Sequence, residues 1–160
     1  EKGYFFVGQH FNPANPASHH RTAQEIVDDF GKDLKAVICT TGTGGTISGL
    51  SKVLREKIPG IAIIATEPDN SPILSKGVGC KHRIMGTAPG FIPDTLDQNA
   101  YDDIIPINAD QAIATSRQLA EREGIFCGIS CGAAVLGMLD YAQRDVARDQ
   151  HLLAILADTG

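Results

Sequence analysis

Long apolar runs are missing from this chain of 160 residues: none approaches the roughly 20 needed for a helix to cross a bilayer. Positive charge is short as well. Lys and Arg number 14 against 19 Asp and Glu, a net charge of −5, which removes the electrostatic basis for holding nucleic acid or an anionic membrane. Cysteine is sparse: the four, Cys39, Cys80, Cys127 and Cys131, form no CxxC pair. That excludes a disulfide framework as the organising device and favours reduced thiols in a cytoplasmic compartment. Neither an internal repeat nor a low-complexity segment occurs. No apolar core follows Glu1-Lys2-Gly3, so the start does not read as a signal peptide.

What remains is ordinary globular composition, 42% apolar and 21% charged. Short apolar runs alternate with amphipathic stretches, the pattern of βα units and a mainly parallel twisted sheet with helices on both faces, an α/β fold. Residues 4–9 are expected as a first strand, Asn12-Pro13-Ala14-Asn15-Pro16 as a loop, and 18–30 as a helix ended by Gly31. Ala36–Cys39 reads as a buried strand, Thr40–Thr46 as a small-residue loop, and Ile47, Leu50, Val53 and Leu54 fall at helical spacing. Ile61–Thr66 is the next strand. Residues 68–106 read as a long loop with one short helix near Ile73-Leu74. Asn108 and Gln111 have capping-box spacing for a helix running to Glu123 and stopped by Gly124. Ile125–Cys127 is expected as a short strand, Cys131–Arg144 as a helix, and 152–156 as a last strand. Both ends thus fall at core strands, so a single domain over 1–160, cut at each end, is expected.

Cys39-Thr40-Thr41-Gly42-Thr43-Gly44-Gly45-Thr46-Ile47 is the most informative segment. It links a buried strand to a helix. Glycines let amides turn inward, threonines add hydroxyl donors, and a helix amino terminus adds positive potential, which together suit a phosphate dianion. No lysine follows the glycines as GxxxxGK requires, and Ile47 stands where GxGxxG requires glycine. A nucleotide P-loop and a dinucleotide fingerprint are therefore both excluded.

Gly42-Thr43-Gly44-Gly45-Thr46 resembles the phosphate loop of the cysteine synthase and cystathionine β-synthase family, fold-type-II pyridoxal-phosphate (PLP) enzymes with a tryptophan synthase β-like fold. Four further segments match that family in order: Asn12–Pro16, Glu67-Pro68 with Ser71-Pro72, Gly90-Phe91-Ile92-Pro93, and Glu123-Gly124-Ile125 leading into Gly128-Ile129-Ser130-Cys131-Gly132-Ala133-Ala134. The resemblance covers essentially the whole chain and implies its carboxy-terminal, phosphate-binding large domain. It implies that Gly42, Thr43, Gly44, Gly45 and Thr46 hold the PLP phosphate. Ser130 would hydrogen-bond the pyridine nitrogen and leave it unprotonated, a tempered electron sink. Gln9 would help bind the substrate carboxylate, and Gly86, Thr87 and Ala88 would line the substrate entrance. The implied reaction is PLP-dependent β-replacement, a transferase/lyase chemistry forming L-cysteine from O-acetylserine and sulfide. Cystathionine β-synthase or an O-phosphoserine-using relative is the nearest alternative. A non-catalytic module docking a partner's carboxy-terminal tail is the other. A homodimer and a serine acetyltransferase partner also follow from the resemblance only.

The sequence departs from the family pattern in places. Gly86-Thr87-Ala88-Pro89-Gly90-Phe91 replaces a run richer in glycine, Ala157 stands where proline is usual, and residues 17–26 lack the usual Thr-Thr-Gly-Pro-Glu-Ile. Cys131, beside Ser130, is expected as a small apolar filler. The family's Schiff-base lysine lies outside this chain. Lys2, Lys32, Lys35, Lys52, Lys57, Lys76 and Lys81 have no matching context and read as surface charges, and no catalytic residue is assigned. His19-His20 lacks metal-ligand spacing and reads as a solvated helix start, Cys127 and Cys131 lack a second pair for zinc, and Ser130 has no GxSxG elbow.

Overall fold

The computed structural model describes residues 3–160; Glu1 and Lys2, with the reading of Lys2 as a surface charge, lie outside them. Four strands form one parallel sheet in the order β3-β2-β1-β4: β1 Leu34–Thr40, β2 Ala62–Pro68, β3 Asp103–Ile107 and β4 His151–Ala154. Strand alternation divides the core in two. Val37, Cys39, Ile63 and Ala65 pack with α1 (Ala14–Phe30) and α2 (Gly45–Lys57) on one face. Ala36, Ile38, Ile64, Ile105 and Ile107 pack with α4 (Ala109–Gln118) and α5 (Ile129–Ala142) on the other. Leu34 joins the first face out of parity because the β1–β4 register shifts between Leu34 and Ala36. The expected α/β architecture with helices on both faces is present.

Several elements differ from the sequence reading. Residues 4–9 form no strand. Tyr4, Phe5, Phe6 and Val7 are exposed, and no strand in the described chain pairs with their backbone. α1 begins at Ala14 rather than residue 18. Pro13 occupies its cap position and Pro16 its first turn, where a proline's missing N–H goes unused. The long loop ends earlier than expected, because Asp103–Ile107 is strand β3. Pro106 is tolerated there since β3 lies at the sheet edge. Ile125–Cys127 is not a strand, and α5 starts at Ile129. The expected strand 152–156 is β4, His151–Ala154, extended by one bond from Ile155 N to Ile38 O at 3.0 Å.

Other expectations hold. Asn108 Oδ1 accepts from Asp110 N at 3.0 Å and Gln111 N at 3.3 Å, capping α4. A π-helical turn, Leu119–Glu123, follows α4 and ends at Gly124 with φ 68°. The short helix near Ile73 is α3, Ile73–Lys76, held by the buried Glu67 carboxylate, which accepts from Leu74 N at 2.8 Å and from the Ser75 hydroxyl.

Candidate functional site

The chain runs β1 to β2 to β3 in one direction across the sheet and then returns to place β4 on the far side of β1. That reversal opens a crevice beyond the carboxyl ends of β1 and β4, the place where parallel α/β sheets hold ligands. A cavity of about 450 Å³ lies there. Thr40, Gly42, Thr43, Gly44 and Thr46 line it from the loop after β1, and Ala157 and Asp158 from the loop after β4. Ser130 lines it from the first turn of α5, and Gln9, His10, Gly86, Thr87 and Pro89 close the remaining sides.

α2 presents its amino terminus to this cavity. Its cap residue is Gly44, at φ 78°, which offers no side-chain cap; the Gly45 amide turns to Thr43 Oγ1 at 3.3 Å, and the amides after it have no side-chain cap. Open N–H groups and the positive end of the helix dipole therefore face a space that, among the described residues, no Lys or Arg lines. The loop is held rigid from outside. Asn15 Nδ2 donates to Thr43 Oγ1 at 2.9 Å and to Gln9 O at 2.7 Å. Thr95 Oγ1 donates to Thr43 O at 2.7 Å, and Ala88 N donates to Thr41 O at 2.8 Å. A Cβ on Gly45 would collide with the Asn15 carboxamide and one on Gly42 with Gly86 O, so both glycines let neighbouring segments close on the loop.

Most of the residues singled out from sequence meet at this cavity: Gln9, Gly42, Thr43, Gly44, Thr46, Gly86, Thr87 and Ser130. Gly45 and Ala88 do not line it. Gly45 is the first residue of α2, with its N 3.3 Å from Thr43 Oγ1, and Ala88 is buried at φ 39°, tied to the site loop through its amide. Among the described residues no lysine lines the cavity, and Lys32, Lys52, Lys57, Lys76 and Lys81 are exposed while Lys35 is half-buried.

Two sequence readings are corrected. His19 is not simply a solvated helix start. It lies on α1 with Nε2 3.2 Å from Thr46 Oγ1, and burial lowers its pKa below the usual 6.5. Cys131 is buried but is more than an apolar filler. Its Sγ lies 2.9 Å from Asp158 Oδ1, and burial, followed by that bond, raises the thiol's pKa. Asp158 itself was missed. It carried no motif signal in the sequence, and only the fold of the loop after β4 brings it to Ser130, whose Oγ lies 3.3 Å from Asp158 Oδ1. Thr95 acts from outside the cavity and left an equally faint trace, whereas Asn15 lies in the Asn12–Pro16 segment that carried the resemblance, with no role assigned to it there.

An all-parallel sheet, a crevice at its reversal point and an uncapped helix terminus facing that crevice define an α/β protein suited to a small anionic ligand. The chain belongs to the pyridoxal-phosphate dependent enzyme family, whose family model matches residues 1–158. It is 41% identical over 162 residues to a cysteine synthase of Staphylococcus aureus, an alignment covering 100% of this chain and 52% of that one. The crystal structure of a cysteine synthase from Entamoeba histolytica superposes with a TM-score of 0.95 at 38% identity, covering 99% of this chain and 47% of the other. An O-ureido-L-serine synthase structure gives a TM-score of 0.94 at 42% identity, covering 99% and 50%. The chain thus spans about half the length of these relatives. The fold is that of the fold-type-II PLP enzymes, and the family's cofactor is pyridoxal phosphate. Among the described residues no helix is long and apolar enough to cross a membrane.

Proposed function

We propose that this chain is the cofactor-phosphate-holding part of a β-replacement enzyme that forms L-cysteine from O-acetylserine and sulfide, with the cofactor-anchoring lysine elsewhere in the full-length protein. The observation that carries the reading is the uncapped amino terminus of α2 opening into the same cavity as Ser130. The donor set fits a phosphate dianion: free amides, threonine hydroxyls and a helix dipole. Gly42 through Thr46 hold the phosphate, Gly45 from the helix start rather than from the cavity wall. Thr43 keeps its own proton free for the ligand, since its Oγ1 accepts from Asn15 Nδ2 and Gly45 N. Ser130 hydrogen-bonds the ring nitrogen from the opposite wall, Gln9 binds the substrate carboxylate, and Gly86 and Thr87 border the entrance, with Ala88 anchoring that loop. Bound pyridoxal phosphate supplies the electron sink that lets the α-proton and β-substituent of the amino acid depart.

O-acetylserine is favoured over O-phosphoserine because, among the described residues, no Lys or Arg lines the cavity to meet a second phosphate. The test is the visible absorption of the full-length protein after incubation with pyridoxal phosphate and dialysis. A retained band that shifts on adding O-acetylserine, with cysteine formed once sulfide is present, supports the reading. A colourless protein refutes it. The 160-residue chain alone should turn over no substrate.

A further inference from the structure

Of the polar side chains around the cavity, Gln9, the loop threonines and Ser130 have tasks in the reading above, and Asp158 is taken up by Ser130 and Cys131. His10 has none. It is half-buried and lines the cavity, and its ring lies against that of Phe91, with centroids 5.2 Å apart and planes at 59°. Its backbone is fixed as well: His10 O accepts from Thr95 N at 3.1 Å, and Gln9 O beside it accepts from Asn15 Nδ2. Asn15 and Thr95 also hold Thr43, so His10 stands on the same frame as the phosphate loop. Among the described residues, neither ring nitrogen has a hydrogen-bond partner, and neither is buried from solvent. An imidazole carries at least one N–H in every charge state, so a fixed donor stands open on the cavity wall.

Phe91 follows directly on the entrance segment 86–89, so the His10–Phe91 pair joins the Gln9 wall to the rim of the cavity. An amino acid held by its carboxylate at Gln9, with its amino group toward the cofactor, must turn its Cβ to this opening. The leaving group exits, and the nucleophile enters, at that carbon. We propose that His10 is a specificity-determining residue whose ring N–H donates a hydrogen bond to the acyl oxygen of the group on Cβ. As the Cβ–O bond breaks, its electron pair leaves with the oxygen and negative charge spreads over the departing carboxylate. The hydrogen bond therefore strengthens as the group departs, and His10 keeps its own proton throughout. The inference rests on the β-replacement reading and adds the feature by which the site tells an acyl ester from other leaving groups.

The test uses the full-length protein loaded with pyridoxal phosphate. His10→Phe keeps a ring against Phe91 and removes the donor, whereas His10→Gln keeps a donor. The ratio of kcat/KM for O-acetylserine to that for β-chloro-L-alanine, whose chloride is a far weaker acceptor, is the first readout. It should fall about threefold to tenfold in His10→Phe, the worth of one hydrogen bond, and recover in part in His10→Gln. Calorimetry gives a second readout without turnover. The amide analogue of O-acetylserine keeps the acyl oxygen and does not eliminate, and norleucine has its chain length without the oxygen. Affinity for the analogue relative to norleucine should fall by the same factor in His10→Phe. A ratio unchanged in that variant by either measure overturns the proposal and leaves His10 as packing for Phe91. A wild type that binds the analogue no better than norleucine overturns it with no variant needed. A protein that retains no pyridoxal phosphate sinks the β-replacement reading and this proposal together, whereas a loaded enzyme whose ratios do not move sinks this proposal alone.

Discussion

Gly44 stands at φ 78° with the Leu96 side chain where a Cβ would go. Gly44→Ala therefore adds left-handed strain and a collision at the cap of α2, together about 1–3 kcal/mol. Affinity of the full-length protein for pyridoxal phosphate should fall about tenfold or more, as read by fluorescence titration; unchanged affinity would show that the loop does not hold the phosphate. His19 makes a second prediction. Its folded pKa lies below the unfolded 6.5 because of burial, so as pH falls through 6.5 the unfolded chain takes up the proton first. Stability from this group is then unaffected above that value and is lost between it and the lower folded pKa. Melting temperature should drop more steeply in the wild type than in His19→Gln between about pH 7 and about pH 5.5. Parallel slopes would exclude the contribution.

At the scale of elements, Asn108 bears the cap of α4. Asn108→Ala should cost about 0.5–2 kcal/mol, read as a lower urea midpoint; no change would mean that solvent satisfies those amides equally well. This cap was legible because its chemistry is local: an acceptor and the amides two and three residues on. β1, β2 and the Gly42–Thr46 loop were legible for the same kind of reason, apolar runs and glycines that act where they stand. β3 was not, since Pro106 reads as a loop residue until the edge position removes any need for its N–H. The strand expected at residues 4–9 failed on the opposite ground: alternation and aromatics favour pairing, but a strand exists only beside another. In the site, Ser130 and the glycine loop could be found from their neighbours in sequence. Asp158 could not, because its partners Ser130 and Cys131 lie 28 and 27 residues away.

Over the whole molecule, the core closes on both faces of the sheet, yet Tyr4, Phe5 and Phe6 are each more than four-fifths exposed and Phe11 joins them at 58%. The Phe6 and Phe11 rings lie 6.0 Å apart, and exposed apolar surface gathered in this way marks a contact site or a point of self-association. The 160-residue chain by itself should bind the dye ANS strongly, and the double variant Phe5→Ser, Phe6→Ser should bind it several-fold less at equal helix content. Equal dye binding would place the exposed apolar surface elsewhere.

The open amino terminus of α2 has one more consequence. Peptide amides keep their hydrogens across the alkaline range in which ammonium groups lose theirs. A ligand gripped by them is thus not released as a buffer turns basic, and acetylating every lysine would leave that grip unchanged. A corner built this way would discriminate by shape and by the fixed directions of its N–H bonds rather than by side-chain charge.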